Sequence, residues 1–257
     1  MPSPTVPATL SSHLRRLGLA RAATDLNDLI ARATKDRWTP VALLEALAAA
    51  ELDDRAHRSL ERRLKRARLG RFKPMADFEW DWPKTVDRAR VARALTLDFI
   101  PAAENLVLVG AQGLGKTMIA KNVVHQAILH GHSALFTTAA DLLLDLNAQD
   151  TARGLERRLR HYTRPHVLCI DEIGYLAYDA HAADLLFQIV TRRYEQKSIV
   201  LSTNLAFRDW QTIFPNGACA VGLIDRLTHH ASIIKITGDS YRRREADGGT
   251  AGKRGST

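Results

Sequence analysis

A glycine-rich segment with one lysine offers the clearest chemistry in this chain. The apolar run at 105–109 leads directly into Gly110-Ala111-Gln112-Gly113-Leu114-Gly115-Lys116-Thr117, and Met118 opens a helical pattern. The spacing G-x-x-x-x-G-K-[ST] between a strand and a helix is typical of a phosphate-binding loop. Its glycines let backbone N–H groups turn toward phosphate oxygens, and the helix N-terminus adds partial positive charge. We therefore predict that Gly110 to Met118 bind the phosphates of a nucleotide.

The last two residues of this loop carry the specific roles. Lys116 supplies a full positive charge at the β and γ phosphates, and Thr117 offers a hydroxyl oxygen to Mg²⁺. A chance match in a glycine-rich loop is the alternative, but the strand before it and the helix after it favour nucleotide binding.

Two neighbouring acids follow a second apolar run, at 166–170. Because ligands bind at the carboxyl ends of strands in open α/β sheets, Asp171 and Glu172 are well placed for chemistry. We predict that Asp171 holds Mg²⁺, directly or through water, and that Glu172 acts as the general base on the attacking water. The alternative is a pair of solvated loop acids.

A third apolar run, at 198–202, ends in Ser202-Thr203-Asn204. Asn204 is a candidate to hydrogen-bond the attacking water or the γ-phosphate, although an asparagine here also suits a turn or a helix cap. One further strand separates the phosphate loop from the acidic pair, and no N-K-x-D follows Asn204. This order resembles the additional-strand ATPases and not a GTPase.

These side chains need a sheet to bring them together. Short apolar runs at 105–109, 133–138, 166–170, 198–202 and 232–236 alternate with helical stretches. Strands buried on both faces and separated by helices predict an α/β fold with a parallel five-stranded sheet flanked by helices. We assign 105–245 to this core and 246–257 to a disordered tail.

The chain before the sheet has a different pattern. Residues 1–73 predict a small all-α domain: a helical stretch from Leu10 to Ala33 interrupted near Gly18, a helix at 41–51, and a basic helix at 53–69 that ends at Gly70. Residues 74–104 predict a linker. In it Phe78, Trp80 and Trp82 alternate with acids, which indicates an extended segment that packs in the core or beside the nucleotide rather than stacking on bases.

Composition excludes several classes of protein. The chain has 257 residues, of which 46% are hydrophobic and 25% charged, as in ordinary globular domains. Two cysteines make no disulfide framework, so we expect a reducing, cytoplasmic compartment. No apolar run is long enough for a membrane span, and no secretory signal is evident.

The charge favours a polyanionic partner. The net charge is +9, and residues 1–100 carry 19 of the 37 basic but only 13 of the 28 acidic side chains. We predict contacts with double-stranded DNA from the basic helix, through Arg58, Arg62, Arg63, Lys65 and Arg66. A second basic stretch lies at 153–164. For both, a solvated helix face is the alternative.

A family resemblance rests on GAQGLGKT, CIDEIGYL, SIVLSTNLAFRDW and GLIDRLTHHASIIKITGDSYR, with the upstream LERRLKRARLGRFKPMADFEWDW. These segments resemble the IstB-like AAA+ ATPases, helper proteins encoded beside the transposase in a class of insertion sequences and similar to the helicase loader DnaC. The resemblance implies ATP and Mg²⁺ as ligands and a homo-oligomer whose ATP sites are shared between subunits. It also implies double-stranded DNA and a separate transposase as partners, with no membrane.

The resemblance also assigns two arginines. Arg226 matches the arginine finger that reaches the ATP of a neighbouring subunit, and Arg242 matches the proposed sensor arginine, although Arg243 and Arg244 follow it. Two other functions stay open: a DnaC-like helicase loader with the same ATPase, and a small-molecule kinase with a P-loop. The acidic pair and Asn204 favour hydrolysis over the kinase.

Overall fold

In a computed structural model, the structure describes residues 8–175, 177–214, 217–241 and 244. The chain divides into two compact units, Met1–Arg62 and Arg63–Thr257. The boundary falls inside one helix, between two neighbouring arginines. Within the described residues, no helix is both long enough and apolar enough to cross a membrane.

The first unit is helical. Helix α1 (Ala8–Arg16) and helix α2 (Ala20–Lys35) are separated at Gly18, whose φ of 77° only glycine adopts readily, so the predicted interruption is confirmed. Helix α3 (Pro40–Ala67) begins in this unit. The carboxylate of Glu51, buried in α3, accepts hydrogen bonds from the backbone N–H groups of Arg21 (2.9 Å) and Ala22 (3.2 Å). Glu51 therefore caps α2, which has no side-chain cap of its own.

Helix α3 corrects one prediction. Separate helices at 41–51 and 53–69 were expected, but α3 runs without a break from Pro40 to Ala67. Because neither glycine nor proline lies between 51 and 53, nothing in the chain interrupts the backbone hydrogen bonds there. The helix ends before Gly70, since Arg68 already adopts a left-handed φ of 56°.

The second unit contains the sheet. Its strands are β1 (Thr85–Val86), β2 (Asn105–Val109), β3 (Ala134–Thr138), β4 (Val167–Ile173), β5 (Ser198–Thr203) and β6 (Ala231–Thr237). Its helices are α4 (Arg88–Thr96), α5 (Lys116–Leu129), α6 (Ala139–Asn147), α7 (Ala152–Thr163), α8 (Ala180–Arg193) and α9 (Gly217–Thr228). Short 3-10 helices lie at Met75–Asp77 and Phe207–Thr212.

The strands are arranged in the order β1-β6-β2-β5-β4-β3. The strands from β2 to β6 are parallel, so the predicted five-stranded parallel sheet is confirmed. A sixth, antiparallel strand is added, because Thr85 and Val86 of segment 74–104 pair with Thr237 and Ile236. Segment 74–104 thus contributes to the sheet.

The sheet places three loops at one edge. Since β2, β5 and β4 are neighbours and parallel, the residues that follow them meet at their carboxyl ends. These three strands are almost wholly buried, and Cys169 of β4 is fully buried in the packed core. This rigid core fixes the positions of the polar residues that end each strand.

The aromatic segment at 78–82 is not extended throughout, whereas its alternation predicted an extended segment. A 3-10 helix precedes it, and Trp80 and Asp81 lie in a turn. The Asn122 side chain of α5 accepts from the N–H of Met75 (3.1 Å) and donates to the carbonyl of Lys73 (2.9 Å). These contacts hold the chain just before the aromatic segment against α5.

Candidate functional site

The phosphate loop joins β2 to α5, and its glycines have the geometry that such a loop requires. Gly113 and Gly115 have φ of 77° and 85°, in the left-handed region that favours glycine. A Cβ at Gly115 would lie 2.6 Å from Cε2 of Phe78, so the ring leaves no room for a side chain. Gly115 also forms the N-cap of α5. The loop N–H groups and the helix N-terminus therefore face the same region.

The ammonium group of Lys116 is held by the loop itself. Its Nζ donates to the carbonyl oxygens of Gly110 (2.6 Å) and Ala111 (2.7 Å), and the residue is buried. These contacts fix a cation inside the loop, where it can exchange carbonyl oxygens for phosphate oxygens of a nucleotide.

The two acids of β4 are held by a serine of β5. The Ser202 hydroxyl donates a short hydrogen bond to Oδ1 of the buried Asp171, and its oxygen accepts from the N–H of Glu172 at 2.9 Å. The register of β4 against β5 shifts between Ile170 and Ile173, and Glu172 adopts a left-handed φ of 64°. The bulge turns the side chain of Glu172 outward, where it is exposed, while Asp171 stays buried.

A cavity of about 340 Å³ unites the predicted groups. Besides phosphate-loop residues it is lined at the carboxyl edge of the sheet by Glu172, Ser202 and Asn204. Thr117 lines it as well, but Asp171 is not among the lining residues. The arrangement places an acid, an amide and a lysine around one space large enough for a polyphosphate.

Residues from two distant segments contact one another beside the cavity, and Glu79, Trp82 and Tyr241 among them line it. The N–H of Tyr241 donates to the carbonyl of Gly113 (3.0 Å), and its hydroxyl donates to Glu79 (2.7 Å). Arg244 pairs with Glu79 at 3.0 Å and lies 4.5 Å from the ring centre of Trp82. These residues form an aromatic wall, defined here as Glu79, Trp82, Tyr241 and Arg244. Arg242, predicted as the sensor, lies outside the described residues, as does Arg243.

The donor set fits Mg²⁺. This ion prefers oxygen ligands, and it keeps several waters beside one or two carboxylates and phosphates. Thr117 offers a hydroxyl oxygen, and Asp171 offers a carboxylate. Oδ1 of that carboxylate accepts a hydrogen bond from Ser202. The residues present therefore suit the ion that the sequence predicts, and neither cysteine nor histidine is among the described residues that line the cavity.

Arg226 lies away from this cavity. On α9, its Nη1 donates to the carbonyl of Gly222 (3.2 Å), and its guanidinium lies 4.8 Å from the ring centre of Phe187 in α8. It does not line the cavity of its own chain.

The residues predicted to contact DNA have different surroundings. Arg58 is paired with Asp54 (2.6 Å) and Glu51 (3.6 Å), and Arg63 donates to the carbonyl of Ile128 (3.3 Å) near the end of α5. Arg62, Lys65 and Arg66 are exposed. The structure therefore gives Arg58 and Arg63 intramolecular partners and leaves the other three side chains facing solvent.

Sequence reasoning missed two contributors to the site. Ser202 carries no motif signal, because its contact with Asp171 depends on the pairing of β4 and β5. Tyr241 was predicted only as part of the core at 105–245 with no role of its own, yet its main chain bonds to the phosphate loop. The alternating aromatic residues were the available signal for this side of the cavity, since Trp82 belongs to the aromatic wall and Phe78 lines the cavity as well.

Comparisons with known proteins identify the family of this chain. A family model described as IstB-like ATP binding protein matches residues 12–248. The chain is 38% identical over 199 residues to the provisionally named ATP-binding protein of insertion sequence IS5376 from Geobacillus stearothermophilus, covering 77% of this chain and 79% of that protein. It is 34% identical over 232 residues to the corresponding IS21 protein of Pseudomonas aeruginosa, covering 90% and 88%.

Solved structures agree on the fold. The chain is similar to the crystal structure of DnaI, with a TM-score of 0.53 and 20% identity, over 61% of this chain and 89% of that one. It is also similar to domain III of the replication initiation protein DnaA from Thermotoga maritima, with a TM-score of 0.53 and 19% identity, over 68% and 72%. The α/β P-loop AAA+ fold predicted from the sequence is thereby confirmed.

Proposed function

The chain belongs to the family of IstB-like ATP-binding proteins, and from this premise we propose that it is the ATP-hydrolysing helper of an insertion sequence. In this proposal it assembles on double-stranded DNA as an oligomer and recruits or activates a separate transposase. ATP holds the assembly together, and hydrolysis releases it.

One observation carries the ATPase: a single cavity joins the phosphate loop to Glu172 and Asn204. A loop that bound a nucleotide only as a structural ligand would not need an exposed carboxylate at the end of β4. The strained backbone of Glu172, with its φ of 64°, is maintained by the hydrogen bond to Ser202, which supports a functional reason for its position.

The reaction follows from these positions. Lys116 and the loop N–H groups bind the β and γ phosphates and stabilise negative charge as it shifts toward the leaving group. Glu172 takes a proton from a water whose oxygen forms a bond to the γ-phosphorus, while the bond from that phosphorus to the β–γ bridging oxygen breaks. Asn204 orients the water or an oxygen of the γ-phosphate. The products are ADP and phosphate.

Thr117 and Asp171 are the residues that would hold Mg²⁺. When bound, the ion neutralises charge on the phosphate oxygens. Ser202 keeps the Asp171 carboxylate in its buried orientation, since it donates to Oδ1.

The oligomer is supported by the position of Arg226, which does not line the cavity of its own chain. An arginine finger acts in trans when a neighbouring subunit inserts it beside the γ-phosphate. We propose that Arg226 leaves its contact with Phe187 and completes the site of an adjoining subunit. Arg242 is the proposed sensor of the nucleotide.

The test is ATP hydrolysis with and without duplex DNA. We expect the wild-type protein to hydrolyse ATP faster when duplex DNA is present. Glu172→Gln should retain ATP binding and lose hydrolysis by at least about 100-fold, since general-base catalysis contributes ~10²–10⁴-fold. Glu104→Gln is the matched control, because Glu104 precedes β2 and does not line the cavity. Hydrolysis by Glu172→Gln at the wild-type rate would contradict the assignment.

A second measurement tests the shared site. Arg226→Ala should bind ATP as well as the wild type but hydrolyse it slowly, and mixing it with Glu172→Gln should restore part of the activity. Restoration is expected because some interfaces in the mixture then pair an intact Glu172 with an intact Arg226. No restoration at any ratio would argue that each subunit works alone.

A further inference from the structure

A strongly basic cleft lies in the sheet-containing unit, outside the nucleotide site. Its volume is about 1300 Å³, and it lies between the end of α3 and the helix α7. Lys65, Arg66 and Arg68 line it from the first side. From the second side it is lined by Arg153, Arg157, Arg160 and Arg164. The structure thus unites two basic stretches that are about 90 residues apart in sequence.

The cleft lies at the edge of the sheet opposite the phosphate loop. Ser133, His166 and Lys197 line it, and each immediately precedes a parallel strand, β3, β4 and β5 respectively. The phosphate loop and Glu172 lie at the carboxyl ends of these strands. We call this cleft the amino-edge cleft.

The positive charge in this cleft is largely uncompensated. The four arginines from α7 follow one another at steps of four, three and four, which places them on one face of the helix. The acid among the lining residues, Glu156, already pairs with Arg160 (3.0 Å) and Arg192 (2.9 Å). In the part of the chain that the structure describes, Arg153, Arg157 and Arg164 have no ion pair with an acid and are exposed.

The end of α7 adds no negative charge to the cleft. Carbonyl groups at a helix C-terminus carry partial negative charge that would repel an anion. Here Lys197 donates to the carbonyls of Thr163 (3.3 Å) and Arg164 (2.6 Å), and Arg193 donates to those of Tyr162 and Thr163 (3.1 Å each). These donors satisfy the carbonyls from inside the fold and leave the arginine side chains free to face outward.

We propose that the amino-edge cleft binds the phosphate backbone of double-stranded DNA, an inference that rests on the proposed function. From Arg153 to Arg164 the stripe extends ~16 Å along α7, at 1.5 Å for each residue. Duplex DNA carries a negative charge for every ~1.7 Å of its axis, so one stripe meets several phosphates. Guanidinium groups bind phosphate oxygens in pairs.

This assignment changes which residues of the basic helix act on DNA. Lys65 and Arg66 contribute to the cleft, whereas Arg58 and Arg63 are occupied by partners inside the protein. The contacts are to the backbone, so binding does not depend on base sequence.

The experiment measures the affinity of the full chain for a fluorescent duplex against salt concentration, with a slowly hydrolysed ATP analogue present. The test variant is Arg153→Ala, Arg157→Ala and Arg164→Ala together. The control variant removes three exposed cations of the same unit that do not line the cleft: Lys84→Ala, Arg93→Ala and Arg208→Ala. Both variants lose three positive charges, so a difference between their DNA affinities shows that the position of the removed charges matters. Circular dichroism and urea unfolding verify that both are folded.

In the test variant the slope of log K against log [salt] should flatten by about 2.7, which is about 0.9 for each lost phosphate contact. The control variant should keep the wild-type slope to within about one contact. If the wild type bound DNA and the two variants had equal slopes, the proposal that the amino-edge cleft binds DNA would be wrong. The proposed function would not be affected by that result. If the wild type bound no duplex, both the DNA-binding role of the cleft and the proposed function would be wrong. This conclusion would hold whether or not the protein bound poly-glutamate, a polyanion without phosphates.

Discussion

The hydroxyl of Ser202 in β5 donates to Oδ1 of Asp171 in β4, and the same oxygen accepts from the N–H of Glu172. One small side chain thus connects the predicted magnesium ligand to the predicted general base. The contact with Asp171 is buried, so water does not compete for it, whereas the contact with Glu172 is partly buried. The geometry of the acidic pair therefore depends on a residue of the neighbouring strand.

Ser202→Ala should lower the kcat of ATP hydrolysis by about 10–100-fold, the usual effect of losing an outer partner of a metal ligand. KM for ATP should change less, because the phosphate loop is intact. The measurement is steady-state hydrolysis over a range of ATP and Mg²⁺ concentrations.

The matched control is Ser198→Ala, at the other end of the same strand. Ser198 is also fully buried, and its hydroxyl donates to the carbonyl of Phe99 (3.1 Å). Its replacement should cost about 1 kcal/mol of stability without lowering kcat. If both variants lose kcat equally, the effect comes from the fold and not from the acidic pair.

Gly115→Ala should destabilise the protein more than Gly131→Ala. Both glycines have a left-handed φ, 85° and 91°, which costs an alanine ~1–2 kcal/mol. A Cβ at Gly131 meets nothing within 4 Å, whereas a Cβ at Gly115 would lie 2.6 Å from the Phe78 ring. The free energies of unfolding from urea titration give the difference, and Phe78→Leu in the Gly115→Ala background should recover part of it. Equal losses for the two glycines would mean that the ring moves without cost.

Arg193→Met should destabilise the protein by about 3–5 kcal/mol. The Arg193 side chain is 1% exposed and donates to five backbone carbonyl oxygens. Burial lowers the pKa of Arg193 to about 9, so it is charged at neutral pH and its loss leaves those oxygens without donors. Arg192→Met is the control, because Arg192 pairs with Glu156 at the surface and its loss should cost at most ~1 kcal/mol. Urea unfolding of both variants checks the contrast.

Acidification should destabilise the protein through His161. Burial, followed by the positive charges of Arg158 and Arg68, lowers the pKa of His161 below 6.5 despite the opposing charge of Asp145. Because the unfolded chain takes up a proton more readily than the folded chain, stability falls as the pH drops below about 6.5. His161→Phe should therefore lose less unfolding free energy than the wild type between pH 7.5 and 5.5.

His181→Phe provides the control for that titration, because His181 is exposed on α8. It should keep the pH dependence of the wild type. An identical dependence in His161→Phe and the wild type would show that other groups carry the effect.

The phosphate loop, the parallel strands and the polar residues that follow the strands could be predicted from the sequence. The phosphate loop is local: its glycines, Lys116 and the first residues of the following helix lie within nine residues, so spacing alone predicts their geometry. The apolar runs predicted the five parallel strands, because strands buried on both faces carry a continuous signal. Asp171, Glu172 and Asn204 were identified because each follows such a run.

The tertiary structure decided what depends on neighbours that are distant in sequence. The strand order brings Ser202 to Asp171, and no local pattern contains that contact. The backbone N–H of Tyr241 donates to the carbonyl of Gly113 in the phosphate loop, although the two residues lie 128 positions apart in the sequence. The charge pattern predicted two basic helical stretches. The packing of the folded chain decides that Arg63 contacts the end of α5 and that Arg66 lines a cleft together with residues of α7. Spacing along the chain determines local geometry, whereas the partner of a side chain is determined by which elements the folded core places together.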